Sequence, residues 1–125
     1  MSTRRTVILA DDDPLIRELL RLILRTSNYN VVAEASHGDA VLALNGNLHP
    51  DIVLLDIAMP GMDGLSVLKA LRAASPACRV VMISGGATAD RVREALALGA
   101  SGFIVKPFTP GKLLDELEMA LGPRP

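Results

Sequence analysis

Apolar residues gather into five short runs along the chain: "TVILA" (6–10), "VVAEA" (31–35), "IVLLD" (52–56), "RVVMIS" (79–84) and "GFIVK" (102–106). Val and Ile dominate them, as in strands. The third run is apolar without a break from Ile52 to Leu55, the pattern of a strand buried on both faces. A helix-like stretch follows each run. The runs recur at roughly 20 to 28 residues, the spacing that βα units need. Strands alternating with helices predict one parallel sheet covered on both faces.

The intervening stretches predict five helices. The first covers 14–27, with Asp13 as N-cap and Pro14 in the first helical position. The second is weaker, covers 38–44 and stops at "NGN". The third covers 63–74, with Leu65, Leu68 and Leu71 on one face and Pro76 beyond its end. The fourth covers 89–98, capped by Thr88 and stopped by Gly99. The fifth covers 110–121, capped by Thr109 and stopped by Gly122. No linker interrupts the pattern, so residues 1–125 are read as one domain.

Composition narrows the function classes. Half of the 125 residues are hydrophobic, enough for a core without metal or disulfide staples. Thirteen basic residues against 14 acidic ones leave a net charge of −1. That balance argues against direct nucleic-acid binding and against an anionic membrane. The aromatic residues are Tyr29, Phe103 and Phe108, too few for a base-stacking platform. Cys78 is alone, which suits a reducing cytoplasm and a small core residue. No signal peptide or membrane-length apolar stretch is present.

The ionisable residues at strand ends change the picture. In an open parallel sheet, ligands bind outside the carboxyl ends of the strands. The first run ends in Asp11-Asp12, the third in Asp56, the fourth in Ser84-Gly85-Gly86 and the fifth in Lys106-Pro107. A single Asp after a strand is usually a helix N-cap, but Asp13 is better placed to cap the first helix. Three neighbouring carboxylates repel one another, and a hard divalent cation with oxygen ligands resolves that. Mg2+ suits best, with Mn2+ an alternative. A carboxylate can act as nucleophile and carry an acyl phosphate. Asp56 sits in the middle of the set and is read as that nucleophile. Lys106 and Ser84 would neutralise or bind phosphoryl oxygens, and Gly85 and Gly86 leave room for them.

The segments "LADDDP", "LLDIAMPGMDG", "MISGGA" and "GFIVKPF" together resemble the four motif regions of response-regulator receiver domains, the phosphoacceptors of two-component signalling. The match spans nearly the whole chain, in order. The resemblance implies a flavodoxin-like α/β three-layer sandwich, a five-stranded parallel sheet in order 2-1-3-4-5 with five helices. It implies Asp11 and Asp12 as the metal-binding pair, Asp56 as phosphoacceptor and third metal ligand, and the Ala58 backbone carbonyl as a further ligand. It makes Ser84 the hydroxyl residue, Lys106 the active-site lysine and Phe103 the switch aromatic. It also implies a cis Lys106-Pro107 peptide. The implied donor is a histidine kinase or histidine phosphotransfer protein, the output is an unknown protein, and the state is a monomer or a phosphorylation-dependent dimer. Such a module is a cytoplasmic phosphoacceptor rather than an enzyme with a separate substrate. Phe103 lacks the hydroxyl of the common Tyr, and Ser84 replaces the commoner Thr. Ala58 and Gly86 are small and shield an acyl phosphate little.

Competing readings fit less well. An aspartate-nucleophile phosphatase of the haloacid-dehalogenase type needs a second Asp two residues on, where Ala58 stands. A flavodoxin-like cofactor binder needs bare N–H donors after the first strand, where "DDDP" offers anions. His37 and His49 lack metal-ligand spacing and read as surface residues. A start at Met1 and a stop at "LGPRP" favour a free-standing regulator over the receiver half of a DNA-binding transcription factor. On the first helix, Arg17, Glu18, Arg21 and Arg25 share one side, and the apolar arc is wider than a core face needs. Its surplus flank, Leu15 and Leu22, is expected to be exposed and to dock the kinase.

Overall fold

The computed structural model describes residues 4–61 and 63–122, so the ends of the expected 1–125 domain, 1–3 and 123–125, lie outside the described residues. The element order is β1 (Arg5–Ala10), α1 (Pro14–Arg25), β2 (Tyr29–Ala35), α2 (Gly38–Leu48), β3 (Ile52–Asp56), α3 (Gly64–Ala74), β4 (Arg79–Ser84), α4 (Ala89–Ala97), β5 (Gly102–Val105) and α5 (Pro110–Leu121). All strand pairs are parallel and the order is β2-β1-β3-β4-β5, as expected. The reversal after β1 makes β3 the central strand and sets the ends of β1 and β3 side by side.

Side chains alternate along each strand between two cores. Val7, Leu9, Ile52, Leu54, Val81, Ile83 and Ile104 face α1 and α5 and meet Leu20, Leu24, Leu113 and Leu117. Ile8, Val53, Leu55, Val80 and Met82 face the other way and meet Val41, Val67, Leu68, Leu71 and Ala95 of α2, α3 and α4. Each fully buried Leu or Ile contributes about 1.5–3 kcal/mol of transfer free energy. The two layers hold the central strand rigidly, which fixes what stands at its end. Cys78 is buried too, and burial pushes its thiol up to about 11, so it is an inert core residue.

The predicted caps form: Asp13, Thr88 and Thr109 accept from Leu15, Arg91 and Lys112 N–H groups. Asp63 is an N-cap rather than the first residue of α3, accepting from Leu65 N–H at 2.8 Å. One helix differs by a full turn. α2 does not stop at "NGN" but runs to Leu48. Asn45 is buried there and its Nδ2 donates to Ser75 Oγ at 2.9 Å, so packing on α3 outweighs the poor helix propensity of Asn and Gly. The helix ends at His49, whose φ of 47° is left-handed, before Pro50. β2 begins two residues earlier than expected because Tyr29 and Asn30 pair with Arg5 and Thr6. The Lys106-Pro107 peptide is cis. No helix among the described residues is long and apolar enough to cross a membrane.

Candidate functional site

β3 delivers Asp56 to the carboxyl edge of the sheet with all five strand residues buried. β1 ends one residue before Asp11, whose N–H still bonds the Ala35 carbonyl at 3.1 Å. Asp11 is 1% exposed and Asp56 4%, whereas Asp12 is exposed. One carboxylate oxygen from each of Asp11, Asp12 and Asp56 lies within 4.8 Å of the others. From the far side comes Lys106, the residue after β5. Its Nζ stands 2.8 Å from Asp11 Oδ2 and 3.4 Å from Asp56 Oδ2. The lysine is therefore held first by Asp11 and leans toward Asp56.

The electrostatics follow from this packing. Burial pushes the Asp56 carboxyl above its ordinary value and the Asp11 charge adds to that, while the Ala58 N–H at 3.2 Å and Lys106 pull it back in part. Burial alone would lower the Lys106 ammonium, but the hydrogen bond to Asp11 and the charges of Asp56 and Asp11 raise it overall. The lysine thus stays charged. Three carboxyl groups against one ammonium give the cluster an acidic excess. An all-oxygen donor set with that excess fits a divalent hard cation, Mg2+ or Mn2+.

Ser84 closes β4 at 9% exposure, and its Oγ accepts from Gly86 N–H at 3.4 Å. The Lys106 N–H donates to the Ser84 carbonyl at 2.8 Å, so the backbone sets the two residues side by side. A side chain built at Gly86 would meet nothing within 4 Å.

Asp11, Asp12, Asp56 and Lys106 therefore converge as the strand ends predicted, with Ala58 beside them and Ser84 at the end of the neighbouring strand β4. Phe103 does not join them. It lies within β5 opposite Met82, half-buried against the core on the α2–α4 side. Leu15 and Leu22 are 72% and 51% exposed. The sequence reading missed Leu19, which is 42% exposed and completes a continuous apolar strip at i, i+4 and i+7 on α1. It also missed Gly64. A Cβ there would stand 2.5 Å from Ile57 Cα and 2.7 Å from the Asp56 carbonyl oxygen, so only glycine lets α3 start against the loop that carries Asp56. The signal was present in "DG": a glycine just after an N-cap costs helix stability unless close approach requires it. His37 and His49 are exposed, as expected.

Three comparisons agree with this geometry. Residues 7–118 match the family model described as the response regulator receiver domain. The chemotaxis protein CheY of Listeria monocytogenes is 39% identical over 114 residues, covering 91% of this chain and 96% of that protein. The nitrate/nitrite response regulator NarL of Escherichia coli K12 is 40% identical over 116 residues, covering 92% of this chain but 54% of that protein. Among solved structures, the signal receiver domain of the response regulator NarL from Mycobacterium tuberculosis superposes with a TM-score of 0.91 at 39% identity, covering 98% of this chain and all of that one.

Proposed function

This chain belongs to the response regulator receiver domain family, and on that premise we propose that it receives a phosphoryl group on Asp56. Receiver domains take phosphoryl groups from histidine kinases and regulate output partners. The observation that carries the assignment is the position of Asp56: buried, ending the central strand, with Asp11, Asp12 and Lys106 around its carboxylate.

An Asp56 carboxylate oxygen attacks phosphorus, and the bond from phosphorus to the donor imidazole breaks with its electron pair left on the nitrogen. Lys106, held by Asp11, places a positive charge beside the incoming oxygens. The Ser84 hydroxyl donates to one of them, and the Ala58 N–H, already on Asp56, steadies the nucleophile. Asp11, Asp12, Asp56 and the Ala58 carbonyl would hold Mg2+, which when bound neutralises charge on the carboxylates and the phosphoryl oxygens. The exposed α1 strip of Leu15, Leu19 and Leu22 begins next to the acidic pair, which suits it to docking a histidine kinase or phosphotransfer protein. Ser84 and Phe103 then transmit the state to an output protein. The module works in the cytoplasm as a phosphoacceptor, with no separate substrate.

Coverage of 96% of the chemotaxis relative supports a free-standing regulator. The likeness to NarL, of which this chain covers 54%, supports a second reading, the receiver part of a larger response regulator. The parent open reading frame decides between them.

Acetyl phosphate with Mg2+ tests the acceptor. Because the chain has no Trp, intact mass is the observable. Wild type is expected to gain one phosphoryl group that hydroxylamine removes, and Asp56→Asn to gain none. A hydroxylamine-stable adduct, or undiminished labelling of the variant, rejects Asp56 as acceptor.

A further inference from the structure

The Asp11 carboxylate is fixed from two sides, by the Asp13 N–H at 2.9 Å and the Lys106 ammonium at 2.8 Å. One peptide joins the exposed Asp12 to Asp11. The carbonyl of that peptide accepts from Arg17 Nη1 at 2.6 Å. Arg17 Nε donates to Glu34 Oε1 on β2 at 3.2 Å. Glu34 also receives Arg21 Nη1 on its two oxygens at 2.7 and 2.6 Å. Arg17 and Glu34 side chains are 21% and 26% exposed, sheltered enough for charge-assisted hydrogen bonds to hold an orientation.

We propose that Arg17 is a positioning residue for the metal, clamping the Asp11-Asp12 peptide so that the Asp12 carboxylate points at the cation shared with Asp11 and Asp56, with Glu34 as its anchor. The proposal rests on reading the acidic cluster as a Mg2+ site. A planar guanidinium spans a carbonyl and a carboxylate at once, which the point donor of a lysine does not. The alternative is that Arg17 and Arg21 are equivalent struts tying α1 to β2. Arg21 separates the two, because it bonds the same Glu34 without a hydrogen bond to the Asp11 carbonyl.

The sign of the effect is diagnostic. Deleting a nearby positive charge tightens cation binding on Coulombic grounds. Loss of a clamp weakens it. Calorimetric titration of Mg2+ into wild type, Arg17→Ala, Arg17→Lys, Arg21→Ala, Glu34→Gln and Asp12→Asn reads the difference, with unfolding of each followed in EDTA. We expect Arg17→Ala to lose about tenfold in Mg2+ affinity, the scale of residues that orient ligands. Arg17→Lys and Glu34→Gln lose less but in the same direction, and Arg21→Ala binds as tightly as wild type or tighter. Should Arg17→Ala fail to fold, Arg17→Lys carries the test, because it keeps the positive charge and removes only the planar fork; Glu34→Gln also removes a negative charge and so is not decisive by itself. Wild-type affinity in the folded Arg17 variants, or equal losses in Arg17→Ala and Arg21→Ala, overturns the clamp. Asp12→Asn is the separate control: a loss there supports Asp12 as ligand whatever Arg17 does, and an unchanged affinity overturns the metal reading and the clamp with it.

Discussion

Asp56 ends a fully buried strand, and its ionised form is disfavoured there by burial first and the Asp11 charge second. Its folded-state value lies above the ordinary 3.8, so the folded protein binds that proton more tightly than the unfolded chain does. Stability from this residue is then fully present below the unfolded value and is lost as pH rises through the folded one. In metal-free buffer at neutral pH, Asp56→Asn should therefore melt at a higher temperature than wild type. The gap should narrow as pH falls through the raised folded value and be closed below 3.8. Millimolar Mg2+ should raise the wild-type midpoint more than the variant's, because the variant lacks a charged ligand. A neutral-pH wild type more stable than Asp56→Asn in EDTA would contradict the electrostatics. At this scale much of the site was readable: Asp11, Asp12, Asp56, Ser84 and Lys106 each follow an apolar run, and a parallel sheet brings such ends together. Gly64 and the Arg17–Glu34 contact were not, because each depends on where a neighbouring element lies across the chain.

Among the elements, α1 carries both the cap of the acidic loop and the exposed apolar strip. Its inner face, Leu20, Ile23 and Leu24, is buried, and Leu15, Leu19 and Leu22 point away from the core. The width of the apolar arc in the sequence already indicated a surplus flank. It did not show Leu19 to be part of it, since the helix seats on β1 and β2 with a tilt that periodicity leaves open. α2 was misread for a related reason: local propensity ends it at "NGN", while the buried Asn45 contact to Ser75 extends it. Burying an exposed Leu against a partner is worth about 1.5–3 kcal/mol at most. Leu15→Ser combined with Leu22→Ser is thus expected to slow phosphotransfer from the cognate histidine kinase, found by transfer profiling, by about tenfold, the loss of part of that burial. Labelling by acetyl phosphate should be unchanged, and stability should move by no more than about 1 kcal/mol, about 0.5 for each surface change. Equal loss with both donors would point to the fold rather than to docking.

Across the whole molecule, the sheet order connects the acceptor to a distant face. Asp56 pairs with Ile83, Ser84 pairs with Val105, and Phe103 sits two residues back along β5 from Val105, opposite Met82. A phosphoryl group that draws the Ser84 hydroxyl toward itself pulls on the β4–β5 edge, where Lys106 N–H is already bonded to the Ser84 carbonyl. Phe103 is half-buried against the same core group as Ala95 of α4, so a change in its rotamer changes what supports that helix. α4 is the element best able to respond: of its nine residues, Ala95 is the buried one. Few buried contacts mean a low local barrier to movement. Beryllofluoride with Mg2+, which mimics the phosphoryl group on a carboxylate, provides the readout without any partner protein. Amide exchange in α4 and β5 of wild type should change when it binds. Phe103→Ala should take up beryllofluoride with the same stoichiometry, because the aromatic lies outside the carboxylate cluster, yet show a much smaller change in α4. Cutting away most of the ring also costs stability, so exchange in each protein is compared with and without beryllofluoride rather than between proteins. An α4 response of equal size in both would remove Phe103 from the path between Asp56 and the output face.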